Sequence, residues 1–426
     1  MSKPRTLPPP DSRPNSVYRA FRTARQIVQT MNPTHTWNVR SVAAAVAFFG
    51  AVFLLYIPFE DRLTNTMWPR YFAVAVTFLC LVPLMLARPI RITEPSIYIL
   101  VGLGIILLHT IVFRTVSFIY PFFIGANIFS AVLVYETSKR WPREFNTAVT
   151  WLLVISIVAL VVQVLMFYLL GGPIVDIHEM AFGSPSRAAV DFVGINRFSG
   201  LQVEPGTYAN NTAFLLAVYL FTSGYTKKVY WIAILTVVTL LLTGSATSVY
   251  FTCVMLMLLP VLWSHRIKKW HVLALFVFIL VFLASSNIID HLNERFAHND
   301  DGSLSIWKTG LFSYLDTGWE DKIIGLGYEH PPCVDCHFQD LGVIANLISG
   351  GGLLVVIVLM LIFYRVACFN GILLSLIIFA MPMNSRMYYY EAPVWMLFLF
   401  AQTNLRKKHT IPKALARPSA PPLLLR

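Results

Sequence analysis

The 426 residues are 57% hydrophobic and only 13% charged, with a mean hydropathy of +0.65 and a formal net charge of +12. A soluble domain carries about a quarter charged residues, so this composition excludes a soluble globular protein. The positive charge invites a nucleic-acid reading, but its distribution along the chain, described below, removes that class as well.

In chain order, residues 1–40 are basic and Pro-rich at the start, a composition expected to be disordered. Within this tail Val17, Phe21, Ile27, Val28 and Met31 fall near one helical face, with Arg19, Arg22 and Arg25 elsewhere. That pattern suits a helix lying on an anionic leaflet, or equally a solvated tail that sets orientation. The first apolar run begins after this tail, which is unlike a cleavable signal peptide.

From Ser41 to Gln402 apolar runs recur, each near the ~20 residues needed to cross a bilayer. They predict an all-α, polytopic membrane protein with twelve spans: 41–59, 71–87, 96–113, 117–135, 147–170, 206–223, 229–243, 245–263, 271–289, 342–364, 369–382 and 389–403. With the N-terminus inside and the spans alternating, 24 of the 33 Lys and Arg residues fall on inner segments, including Arg88, Arg91, Lys139, Arg140, Arg143, Lys227, Lys228 and Arg365. This is the positive-inside pattern, and it accounts for the basic excess without nucleic acid. The expected organisation is a cytoplasmic tail 1–40, a transmembrane domain 41–403, and a basic cytoplasmic tail 404–426.

Two outer loops are long, 171–205 and 290–341, and their aromatics and paired charges predict order. The second carries ten acidic residues against Arg295, Lys308 and Lys322. It also holds Cys333 and Cys336, read as a local disulfide in an oxidising compartment. A metal is the alternative, with His330 and His337 nearby, though the spacing is cramped. Cys80, Cys253 and Cys368 read as small apolar residues of the spans. No internal repeat is visible, which disfavours transporter folds built from duplicated halves. A transporter would place ionisable residues near the midplane, and the one clear candidate within a span is His109, itself toward the outer end of 96–113.

Three segments carry chemistry. The first is Asn196-Arg197-Phe198-Ser199-Gly200-Leu201-Gln202-Val203-Glu204-Pro205-Gly206-Thr207-Tyr208. Pro205 suits the first turn of the next helix, which leaves Glu204 at the positive end of its dipole. Glu204 reads either as a functional carboxylate at the membrane boundary or as a plain helix cap with Arg197 its partner. The second is Gly325-Leu326-Gly327, then His337, then Ser349-Gly350-Gly351-Gly352, whose small residues permit close helix packing. The third, Leu242-Thr243-Gly244-Ser245-Ala246-Thr247, reads as a polar turn between two spans.

Together these segments resemble the O-antigen polymerase and O-antigen ligase superfamily of bacterial surface-polysaccharide enzymes. The resemblance rests on Arg197 to Gly200, Glu204-Pro205-Gly206, Leu242 to Ser245, then Arg295, Trp307, Gly325-Leu326-Gly327, His337 and Ser349-Gly350-Gly351. Glu-Pro in place of Asn-Pro favours the polymerase branch. Ala246 and Thr247 stand where many relatives carry an Arg, and Phe338 follows His337 in place of a small polar residue.

The resemblance implies a GT-C-like membrane glycosyltransferase acting on undecaprenyl-diphosphate-linked oligosaccharide at the periplasmic face of the inner membrane. The partners it implies are the lipid-linked substrate, the bilayer, a chain-length regulator and a flippase. Transfer to another acceptor, as a ligase, and a non-enzymatic transporter or scaffold are the alternatives. His337 is the first choice of base and Glu204 the second. Arg197 is assigned to the leaving diphosphate, with Arg295 and Arg386 as helpers. Arg386 reads equally as an interfacial anchor. Arg187, Tyr208 and Trp307 are expected to line the glycan groove. No acidic pair suggests a divalent cation, so no cofactor is expected.

Overall fold

Apolar sequence with few breakers becomes helix almost throughout the described residues. The computed structural model describes residues 39–57, 68–113, 119–171, 173–188, 196–224, 226–263, 314–327, 342–383 and 392–402. Among these there is no strand. The helices are α1 (Val39–Tyr56), α2 (Trp68–Ala87), α3 (Glu94–Phe113), α4 (Ile119–Ser138), α5 (Pro142–Leu170), α6 (Ile177–Phe182) and α7 (Pro205–Ser223). They continue with α8 (Lys227–Leu242), α9 (Ala246–Leu262), α10 (Trp319–Ile324), α11 (Val343–Asn370), α12 (Ile372–Met383) and α13 (Ala392–Ala401). A helix lies at each predicted span except 271–289, which is outside the described residues, as are 1–38 of the N-terminal tail and the whole C-terminal tail. Three helices, α1, α5 and α11, are long and apolar enough to cross a membrane.

The chain divides into Met1–Ala43 and Ala44–Arg426. Of the first unit only Val39–Ala43, the opening of α1, is described. In the second, α7 is the central helix: nearly every residue from Pro205 to Phe221 is buried, and it packs against α5, α8, α9 and α13. Every residue of α13 is buried too, and its Phe400 ring stacks on Phe145 at 5.0 Å. Around this core the outward side chains are apolar: Leu79, Leu86, Leu108, Leu169, Met360 and Leu361 are all more than half exposed. Helices apolar both inside and outside the bundle suit a lipid surround. The hydroxyls of Thr77, Ser130, Thr150, Thr236 and Ser375 donate to the carbonyl four residues back, which satisfies them locally.

Contacts gather the helix ends into two groups. At one end, Arg88 reaches the Arg140 carbonyl, Glu94 pairs with Arg365, Asn146 Nδ2 approaches the Thr222 carbonyl at 3.5 Å, and Asn370 Nδ2 donates to the Ala401 carbonyl at 2.9 Å. At the other, Gln202 Nε2 donates to the Tyr56 carbonyl at 2.9 Å, and the Phe198 amide donates to the Thr243 carbonyl at 3.2 Å.

The Gly-rich run of α11 does more than allow close packing. Gly352, at φ 59° and ψ −148°, breaks the helix. The loop after α10 fills the break: Leu326 N–H donates to the Ser349 carbonyl (2.8 Å) and Gly327 N–H to the Gly350 carbonyl (2.9 Å). A break in an apolar helix is tolerated where the freed groups find protein partners.

Candidate functional site

The site is built where the segment 196–204 enters α7. Pro205 fixes the first turn, and the Glu204 carbonyl accepts the Tyr208 amide at 3.0 Å, so Glu204 is the N-terminal boundary residue with extended backbone. Its carboxylate does not cap the helix. Oε2 instead accepts from Arg187 Nη1 at 2.9 Å, with the Glu204 side chain 11% and the Arg187 side chain 56% exposed. Glu204 therefore lies at the inner end of an ion pair whose cation opens outward.

The other oxygen lies on the side of Gly206. A Cβ on Gly206 would lie 3.7 Å from Thr247 Oγ1, 3.9 Å from Glu204 Oε1 and 4.0 Å from Ser245 Oγ. The turn between α8 and α9 thus places two hydroxyls and the carboxylate around the same glycine. Ser245 is buried and Thr247 half-buried.

Two excursions of the chain are clamped to hold this geometry. Gln163 of α5, fully buried, accepts from the amides of Ser199 (3.0 Å) and Gly200 (2.8 Å) through Oε1, and donates to the Val175 carbonyl (2.8 Å) through Nε2. Gly200 needs both its positive φ of 58° and its missing Cβ, which would press on the Leu160 backbone at 3.2 Å. In the 171–188 excursion, Asp176 caps α6 by accepting from Glu179 N–H (3.0 Å) and also holds Ser186 N–H (2.6 Å). The buried His178 lies with Nδ1 2.7 Å from the Leu201 carbonyl, and Arg187 N–H donates to the Val203 carbonyl at 2.8 Å.

Arg197 is half-buried, one residue before Phe198, whose amide is anchored on Thr243. Since Thr243 begins the turn that carries Ser245 and Thr247, Arg197 and Glu204 occupy the same end of the bundle. Tyr208 departs from expectation. It is fully buried and its hydroxyl donates to Thr239 Oγ1 at 3.1 Å, so it ties α7 to α8 inside the core and lines no open groove. His337, Arg295, Trp307, Arg386, Cys333 and Cys336 lie outside the described residues.

Sequence reasoning missed Gln163, whose only signal was an amide inside an apolar run. Behind the site, Ser199 Oγ, Asn210 Oδ1 and Asn211 Oδ1 are buried with no hydrogen-bond partner among the described residues. Such atoms in a native interior call for water or a ligand hydroxyl. Among the described residues no cluster of three or more His, Cys, Asp or Glu could hold a metal. Compared as a whole, the sequence matches no protein-family model and no curated protein.

Proposed function

We propose that this chain polymerises lipid-linked oligosaccharide repeat units into a bacterial surface polysaccharide, using undecaprenyl diphosphate as leaving group at the outer face of the cytoplasmic membrane. The observation that carries this reading is the polar grouping at Gly206, where Glu204 Oε1 and the hydroxyls of Ser245 and Thr247 lie 3.7–4.0 Å from the position a Cβ would take. A sugar hydroxyl fits that chemistry. The two side-chain hydroxyls orient it and Glu204 Oε1 accepts its proton.

The hydroxyl oxygen then attacks the anomeric carbon of the donor glycan. The new carbon–oxygen bond forms as the bond to the diphosphate oxygen breaks, and the lipid diphosphate leaves with the electron pair. Arg197 neutralises that developing charge through its planar fork of donors. Arg187 holds the carboxylate in place and opens toward the glycan. His337, Arg295, Trp307 and Arg386 keep the roles the resemblance gives them, with His337 the competing base.

The proposed topology has both termini in the cytoplasm and the segments 171–205 and 290–341 outside. It is supported by the gathering of Arg88, Arg140 and Arg365 at one end of the bundle and of Glu204, Gln163 and Gln202 at the other. A flippase supplies the substrate in this scheme, and a chain-length regulator limits the product.

Purified protein given a defined undecaprenyl-diphosphate repeat unit tests the reading. Products two or more repeats long, with release of undecaprenyl diphosphate, are expected. Transfer only to an added foreign acceptor would make it a ligase. No release of lipid diphosphate under any acceptor would leave a transporter or scaffold.

A further inference from the structure

At the end of the bundle opposite Glu204, the segment Arg88–Thr93 between α2 and α3 lies against the junction of α4 and α5. Two fixed contacts hold it. The Arg88 guanidinium lies 3.9 Å above the Trp141 ring and donates Nη1 to the Arg140 carbonyl at 2.7 Å. Farther along, Thr93 gives its amide (2.8 Å) and hydroxyl (2.6 Å) to Glu136 Oε1, which also accepts from Ser96 Oγ at 2.6 Å. Lys139 neutralises the buried Glu136, 3.2 Å from Oε2, and Arg365 pairs with Glu94. Those two acids are therefore matched within the fold.

What remains is a cationic corner. Arg91, Arg140 and Arg143 are exposed and form no ion pair among the described residues, and Arg88 beside them is exposed with donors to spare. Glu144, half-buried, follows Arg143 in the chain. Exposed apolar side chains flank the cations: Leu86 is 79% and Ile92 is 52% exposed. Guanidiniums set beside apolar surface at the end of apolar helices fit a ligand with a phosphate at one end and hydrocarbon at the other. A soluble anion would leave Leu86 and Ile92 in water.

We propose that Arg88, Arg91, Arg140 and Arg143 bind the phosphate of an anionic phospholipid headgroup, with its acyl chains against Leu86 and Ile92. The site is independent of glycan transfer. It requires only that this end of the bundle meet a leaflet rich in anionic lipid, where each basic residue near the surface strengthens attraction about fivefold.

Full-length protein in detergent, titrated with phosphatidylglycerol or phosphatidylcholine and observed by native mass spectrometry, provides the test. Phosphatidylglycerol should be retained in preference to phosphatidylcholine. The triple variant Arg91→Gln, Arg140→Gln, Arg143→Gln, which leaves the Arg88–Trp141 contact in place, should bind phosphatidylglycerol roughly a hundredfold more weakly. Lys227→Gln with Lys228→Gln, which removes exposed cations from the first turn of α8, should change binding less than threefold. If the triple glutamine variant does not fold, the triple lysine variant should bind severalfold more weakly than wild type, since point charges replace bidentate forks. The proposal is overturned if the folded triple variant binds like wild type, if the Lys227/Lys228 control loses as much, or if inorganic phosphate alone displaces the lipid.

Discussion

Replacing Gln163 by Leu tests whether one buried amide holds the entry to α7. The change keeps the volume and removes three hydrogen bonds, to Ser199 N–H, Gly200 N–H and the Val175 carbonyl. Val175 is half-exposed and can turn its carbonyl to water, whereas Ser199 and Gly200 are buried. Two buried donors left without acceptors cost about 1–3 kcal/mol each. The low end, about 2 kcal/mol together, corresponds to a local opening roughly thirtyfold more frequent. Hydrogen exchange read by mass spectrometry on a peptide covering 196–204 should show that acceleration, while peptides from α4 and α13 keep their protection. Unchanged exchange at 196–204 would refute the clamp. So would uniform acceleration across the molecule, which would make Gln163 a general packing residue.

Gly352→Ala should cost of order 1–3 kcal/mol in backbone strain alone. It should also expel the loop, because the new Cβ would sit 2.6 Å from the Gly325 amide; protease sensitivity near 325–327 reports this, and wild-type resistance would contradict it. Glu136→Leu strands the Thr93 and Ser96 donors and the Lys139 cation, for about 3–5 kcal/mol. A melting temperature within a degree of wild type would show that the network is dispensable. A single Cys introduced as Ser184→Cys should react with an impermeant reagent applied outside intact cells, and labelling only after lysis would invert the proposed topology.

The helices were legible because hydropathy alone marks them, and the start of α7 was legible at Pro205, whereas α5 begins at Pro142, ahead of the predicted 147–170, and α11 runs to Asn370, beyond the predicted 342–364. Glu136 escaped notice as a buried ion because it falls one residue beyond the predicted end of 117–135, and its partners Thr93 and Ser96 are 43 and 40 residues away. Arg197 is the neighbour in sequence that suggested an ion pair for Glu204, yet folding supplies Arg187, 17 residues upstream, through a loop whose path no local pattern encodes. Tyr208 was misplaced for a related reason. A helix buried on every side has no polar face to distinguish a groove from the core. Gly206 and the Ser245–Thr247 turn were visible as motif residues, but only the packing of α7 against α9 gathers them with Glu204 around one glycine.

The central claim is that Glu204 takes the proton of the attacking sugar hydroxyl. Glu204→Gln preserves the shape of the side chain and its reach toward Arg187, while removing its capacity as a base. Purified Glu204→Gln protein, supplied with a defined lipid-linked repeat unit, is expected to bind the substrate and melt near the wild-type temperature yet form no polymer. Polymer formed at close to the wild-type rate would contradict the account and return Glu204 to the role of a helix boundary residue held by Arg187.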